Sequence, residues 1–384
     1  MKIVIAVDSF KGSCTAREAA EYISRGIRRV YPEAELVPLP IADGGEGTVD
    51  AIAAATGGRL ISVDVSAPLG RPITAQYAVL PSGEAVIETA AASGLTLVAP
   101  DERDALRATT YGTGQLIRHA LEHGARRLII GLGGSATTDG GMGIGRALGI
   151  RFIDERGEEL GEGGGELMRL ARIDADSLMP AARESEFILA CDVKNPLHGA
   201  QGAAYVYAPQ KGASPDEAAY LDKALENYGR VLRTQFDCDA AGREGSGAAG
   251  GLGCIFMAFM RAAIRPGIEL VLDTIDFEEK LRGASLVITG EGRIDAQSAF
   301  GKVPCGVARR AKSAAGIPVI AIGGATGRGA EALYNCGVDA LFSAVSGICT
   351  LDEAMARTAE SLQEAAERAM RLIKAGADIA ARQI

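Results

Sequence analysis

The chain contains no apolar run approaching the roughly 20 residues that cross a bilayer. The N-terminal apolar stretch Met1–Val7 is closed by Asp8, too early for a signal peptide, and reads as a buried first strand. Cysteines number seven, an odd count, and they are scattered without a C-x-x-C pair or a Cys/His cluster. That argues against a zinc site or a disulfide framework and favours a reducing, cytoplasmic setting. Histidines are only three, and His119, His123 and His198 have no triad partners, so all three read as structural or solvent-facing. Basic residues are too few and too dispersed for a nucleic-acid partner, with 40 Lys and Arg against 49 Asp and Glu and a net charge of −9. Both common nucleotide fingerprints are missing as well. Gly141 and Gly143 would need a glycine at Arg146 to complete G-x-G-x-x-G, and Gly301-Lys302 is followed by Val303 without the upstream glycine of a Walker A loop.

What remains is ordinary globular material, 47% apolar and 23% charged, with 384 residues sufficing for about two domains. Four short segments stand out within it. They are Asp8–Ser13, Ala42–Gly47, Gly133–Gly141 and Thr289–Asp295. Each follows an apolar, β-branched run and mixes glycine with a carboxylate, and the first and last add a cation. Glycine lets backbone N–H groups approach an anion, a following helix N-terminus favours negative charge there, and nearby carboxylates suit a divalent metal or a base. The pattern points to phosphate chemistry on a small polyhydroxy substrate.

Strand–loop–helix units occupy both ends of the chain. Lys2–Val7 is a strand, and Thr15-Ala16-Arg17-Glu18 is a capping box opening a helix to about Val30. Glu35–Ile41 is the next strand, and Thr48 caps a helix ending near Gly57-Gly58. Towards the C-terminus come strands at Ser285–Thr289, Pro318–Ile322 and Ala340–Val345, with a helix starting near Pro304. Thr350-Leu351-Asp352-Glu353 is a second capping box opening one long last helix. The middle differs: Arg59–Glu88 is broken by Pro68, Gly70, Pro72, Pro81 and Gly83, which suggests short antiparallel strands. The fold class is therefore α/β, a discontinuous Rossmann- or flavodoxin-like three-layer domain (residues 1–70 plus 265–384) with a second α/β domain (71–264) inserted. Ligand sites concentrate in clefts, so the active site is expected between the two.

Asp8 and Asp43 both sit at the C-terminal ends of strands, where parallel sheets bind ligands. Ser9 and Gly44 flank them as further substrate contacts. Lys11 either neutralises a carboxylate or phosphate or is a solvated loop charge. Gly133, Gly134, Ser135, Thr137 and Gly140 read as a nucleotide phosphate cradle, or as a tight turn needing glycine only for its backbone angles. Asp192, which ends the strand Phe187–Ala190, is a general base for a hydroxyl or an Asp that caps its own turn. Glu291, Arg293 and Asp295, with Lys302 nearby, hold metal and phosphate together or form a surface ion-pair cluster. The five glycines between Gly245 and Gly253, ahead of an apolar helix Leu252–Ala263, cradle phosphate or allow close packing between domains.

Taken in order, the segments Asp8–Ala19, Pro40–Thr48, Thr110–Gly114, Gly133–Gly141, Cys191-Asp192 with Asn195-Pro196-Leu197, Pro209–Ala213, Pro266–Glu269 and Thr289–Asp295 with Gly301-Lys302 span nearly the whole chain. In these the chain resembles bacterial glycerate kinases of the glycerate and glycolate utilisation type. The resemblance implies ATP-dependent, magnesium-requiring phosphorylation of D-glycerate, with 2-phosphoglycerate favoured over the 3-phosphate. It departs in three places: Val7 for a usual proline, Thr138 for a common asparagine, and Ser346–Cys349 for a glycine-proline turn. None of these removes a charge.

On this reading Lys11 and Arg293 hold the glycerate carboxylate or the transferred phosphoryl group, and Asp192 takes the hydroxyl proton. Asp43, Asp139 or Glu291 holds magnesium, and a homo-oligomer is left open. A nicotinamide-dependent hydroxy-acid oxidoreductase suits the α/β alternation but lacks the fingerprint. A non-catalytic hydroxy-acid sensor gains little from a base beside its ligand.

Overall fold

A computed structural model describes residues 1–299 and 301–382. Along the chain the strands are β1 (Lys2–Val7), β2 (Glu35–Pro40), β3 (Arg59–Ser66), β4 (Pro72–Val79), β5 (Ala85–Glu88), β6 (Arg127–Gly131), β7 (Arg151–Ile153), β8 (Arg172–Asp174), β9 (Glu186–Ala190), β10 (Arg261–Arg265), β11 (Ala284–Ile294), β12 (Val319–Thr326) and β13 (Ala340–Ser343). Contacts divide them between two units. One comprises Met1–Asp43, Asp50–Ala55 and Ile268–Ile384, the other Gly44–Val49 and Thr56–Gly267.

The end-built unit carries a five-stranded sheet in the order β13-β12-β11-β1-β2, parallel throughout. Its strands are apolar on both faces, as a sheet covered on both sides requires. Ile3, Ile5 and Val7 face one way, towards Ile23 and Ile27 of the helix Ala16–Arg28 and Leu362 and Met370 of the helix Thr358–Ala381. The alternate residues Val4 and Ala6 are also fully buried, and the helix Val303–Ala315 packs on β1, β11 and β12. These are the three layers of the expected α/β class. Both capping boxes form as expected, Thr15 with Glu18 and Thr350 with Glu353. The single long last helix does not: it breaks at Arg357 into Leu351–Ala356 and Thr358–Ala381.

The other unit has a mixed sheet, β10-β9-β6-β5-β4-β3. Its half from β5 to β10 is parallel, and β3, β4 and β5 form an antiparallel meander. Strand β3 pairs along its whole length with β4, which draws residues before position 70 into this unit. The apolar helix expected at Leu252–Ala263 lies within Ala248–Phe259, where residues 249–251 have positive φ, and Arg261–Arg265 leaves it to pair with β9 as an edge strand. Tertiary pairing here outweighs local helical propensity.

The cysteines require a correction. Cys305 and Cys336, both buried, form a disulfide across 31 residues within the end-built unit, with Cα atoms 5.2 Å apart. A pair that far apart in sequence carries no spacing signal, so only the fold could bring it together. No helix among the described residues is long and apolar enough to cross a membrane.

Candidate functional site

A cavity of about 490 Å³ opens at the C-terminal edge of the end-built unit's sheet. The turn after β1 contributes Asp8, Ser9, Phe10, Lys11 and Ser13, the segment after β2 contributes Asp43, and the end of β11 contributes Glu291 and Arg293. Thr289–Asp295, expected as a loop, is largely strand. β11 runs on to Ile294 and keeps its register with β12, Glu291 beside Gly323 and Arg293 beside Ala325. Period two therefore decides which of these side chains share a face.

Asp8 is 6% exposed and accepts the Ser9 N–H on Oδ1 at 2.6 Å. Burial pushes its carboxyl up to about 7, and Asp43 and Glu291 add like-charge repulsion against the opposing pull of the Ser9 N–H and Lys11. Glu291 is also raised, first by burial. The Ser298 hydroxyl donates to it and Lys302 Nζ lies 3.8 Å away, both favouring its charge, while Asp43 and Asp295 oppose it. Arg293 extends into solvent, its side chain 73% exposed, with Nε 3.3 Å from Asp295. Lys11 is exposed on its turn and Asp43 is half-buried. The fold thus brings together Asp8, Ser9, Lys11, Asp43, Glu291 and Arg293, and adds Lys302. No preformed cluster of three or more metal ligands exists among the described residues.

The remaining expected residues lie in the other unit. Gly141, at φ +80°, turns the chain into the helix Met142–Ala147. Only Gly133 and Gly134 reach solvent to any extent; Ser135 is largely buried, and Ala136 through Gly141 are interior. A Cβ at Gly140 would stand 2.8 Å from the Tyr228 ring. Thr137 and Gly140, expected to touch phosphate, face packed protein in this structure. The Gly245–Gly253 run resolves the same way. Gly250 accepts the Gly140 N–H at 3.1 Å, and a Cβ on Gly250 would stand 2.0 Å from the Thr137 carbonyl. These glycines permit close packing inside one unit.

Asp139 is fully buried. Its Oδ2 accepts from Thr110 N and Oγ1 at 2.8 Å each and from Gly143 N at 3.1 Å, and its Oδ1 accepts from Gly141 N at 3.1 Å. Burial raises its carboxyl against those four bonds. Held by four protein donors, it ties the loop to Thr110. Sequence reading gave Lys211 no role. It is 2% exposed, and Nζ donates to Ser135 Oγ at 3.0 Å and the Thr137 carbonyl at 2.5 Å. Its only sequence signal is its place in Pro209–Ala213. Asp192 is exposed at the end of β9, one oxygen held by the Gly267 N–H at 2.9 Å. Gly44, at φ +91°, lies against Ala190, close enough that a Cβ would come within 2.8 Å of that methyl group. His119 hydrogen-bonds Tyr77 and stacks on His123, a structural arrangement.

A carboxylate-rich pocket with three cations, at the open edge of a parallel sheet, suits a phosphorylated ligand with a divalent ion. Comparison with known proteins points the same way. The model of the glycerate kinase family matches residues 3–374. A glycerate kinase of Bacillus subtilis (strain 168) is 49% identical over 95% of this chain and 96% of its own. A glycerate 2-kinase of Escherichia coli (strain K12) is 47% identical over 92% and 93%. A crystal structure described as glycerate kinase 2 of Salmonella typhimurium LT2 superposes with a TM-score of 0.87 at 46% identity, covering 98% of this chain and 99% of that one. The chain is an enzyme of the glycerate kinase family.

Proposed function

We propose that the protein transfers the terminal phosphoryl group of ATP to the 2-hydroxyl of D-glycerate. The observation that carries this reading is the set Asp8, Lys11, Asp43, Glu291, Arg293 and Lys302 lining one cavity at the sheet edge. Phosphoryl transfer asks for in-line positioning and neutralisation of spreading charge, with little covalent chemistry. Lys11, Arg293 and Lys302 supply positive charge for the transferred group or the glycerate carboxylate. Asp192, the accessible carboxylate with one oxygen fixed by Gly267, takes the hydroxyl proton.

Magnesium fits the donor set. Asp8, Asp43 and Glu291 are all oxygen donors, and the charges of Asp43 and Glu291 push the Asp8 carboxyl up, a repulsion that a divalent cation relieves. Magnesium is usually held by one or two carboxylates plus substrate phosphates, so no closed protein cage is needed. Glu291 and Asp43 are the proposed holders, and the ion would neutralise charge on the phosphates. The 2-position rests on likeness to the relative named a glycerate 2-kinase.

Incubation with ATP, magnesium and D-glycerate, followed by phosphorus NMR, tests the whole reading. The expected product is 2-phosphoglycerate. A 3-phosphate resonance overturns the regiochemistry, and absence of glycerate-dependent ADP overturns the activity.

A further inference from the structure

The sheet-edge cavity is far larger than a three-carbon acid needs, and part of its lining is not charged. At about 490 Å³ it lies within the roughly 300–1,000 Å³ of pockets that enclose drug-sized ligands. Phe10, Ala344, Val345, Leu351, Met355 and Leu362 make up the apolar part of its lining, beside the charged residues. Leu351 is 74% exposed there, an apolar side chain left without cover on its own helix. Thr358 and Ser361 add hydroxyls on the same wall.

Strand order gives this cavity its meaning. Counted within the end-built unit, β2-β1-β11-β12-β13 is the order 2-1-3-4-5. The chain winds outward one way from β1 to β2 and the other way from β11 to β13. The connections after β1 and β11 therefore diverge and leave a crevice at the C-terminal ends of those two strands. Open parallel sheets bind nucleotides at such a switch point. Asp8 to Ser13 follow β1 and Glu291 to Arg293 end β11, so the cavity occupies that crevice.

We propose that the purine nucleoside of the phosphoryl donor sits in this cavity against its apolar lining, among Phe10, Val345, Leu351, Met355 and Leu362, with its phosphates running to Lys11, Arg293 and Lys302. The proposal rests on the kinase reading above and assigns the nucleotide to the sheet edge rather than to the glycine loop at Gly133. The physical division is simple: apolar side chains take the base, and the charged ones take the phosphates.

Titrating the full-length protein with magnesium-ADP and, separately, with magnesium-pyrophosphate distinguishes the two sets of contacts. Met355→Glu places a charge against the base, and Ala354→Leu narrows the same wall without adding charge. Each is expected to weaken ADP about tenfold while leaving pyrophosphate unchanged. Lys11→Ala is expected to weaken both ligands. Unchanged ADP affinity in both wall variants overturns the proposal, as does an equal loss of pyrophosphate affinity. Weakening of ADP by Ser135→Leu alone would move the nucleotide to the glycine loop. Wild-type turnover with glycerate is read independently, so a failed nucleoside site and a failed kinase reading give different results.

Discussion

Lys211 shows how much a single side chain can commit to the interior. Its Nζ reaches Ser135, 76 positions earlier, and the Thr137 carbonyl, and burial pulls its ammonium down to about 7 from an ordinary 10.5. The sign of its effect on stability follows. Below pH 7 both folded and unfolded chains hold the proton, and the cost of the buried charge is fully present. Between pH 7 and 10.5 only the unfolded chain keeps it, so stability rises with pH at up to about 1.4 kcal/mol per unit. Lys211→Met should flatten that rise in urea unfolding measured across this range. An identical pH profile in the variant would show that the ammonium titrates normally. Asp192 makes a catalytic claim at the same scale. Asp192→Asn keeps the shape of the side chain and removes the base, so turnover should fall by about 10²–10⁴-fold with nucleotide affinity retained. Near-normal turnover would leave Asp192 as a turn cap. Neither the buried ammonium nor the tethered Asp139 could be read beforehand, because Ser135 and Thr110 lie far from them in sequence. Lys11 and Asp8 could, because the end of a parallel strand is itself a positional signal.

Helix packing sets the next scale. Gly26 lies on the helix Ala16–Arg28 where it meets Thr358–Ala381, and a Cβ there would stand 2.2 Å from the Gln363 carbonyl and 2.9 Å from the Ala366 methyl group. Alanine improves helix propensity by up to about 1 kcal/mol, whereas overpacking costs about 1–3 kcal/mol. The second effect wins. Gly26→Ala should lower the urea midpoint, and a raised midpoint would mean the helices separate freely. Sequence patterning placed this helix correctly, cap included, since a capping box is a local code. It misplaced the end of the helix Ala248–Phe259, because pairing of Arg261–Arg265 with β9 is a long-range choice. The extension of β11 to Ile294 was hidden for the same reason, its register being set by β12.

Over the whole molecule, seven cysteines resolve into one disulfide and five free thiols, Cys14, Cys191, Cys238, Cys254 and Cys349. Closing a 31-residue loop is worth about 3–4 kcal/mol in the chain-entropy picture. Thiol titration of the denatured, unreduced protein should therefore count five, rising to seven after reduction. A count of seven before reduction would leave Cys305 and Cys336 as neighbouring thiols. The α/β class and the run of family motifs needed no structure. Alternating apolar runs, caps and strand-end carboxylates are short-range features that any stretch of chain displays by itself. Which glycines stay near solvent and which face protein was a tertiary decision: Gly140 packs on the Tyr228 ring and Gly250 on the Thr137 carbonyl, while Asp8 and Glu291 meet because β1 and β11 are neighbours in the sheet. Burial and strand order are properties of the assembled chain, and they turned a set of glycine-and-carboxylate segments into one charged cavity and one packed core.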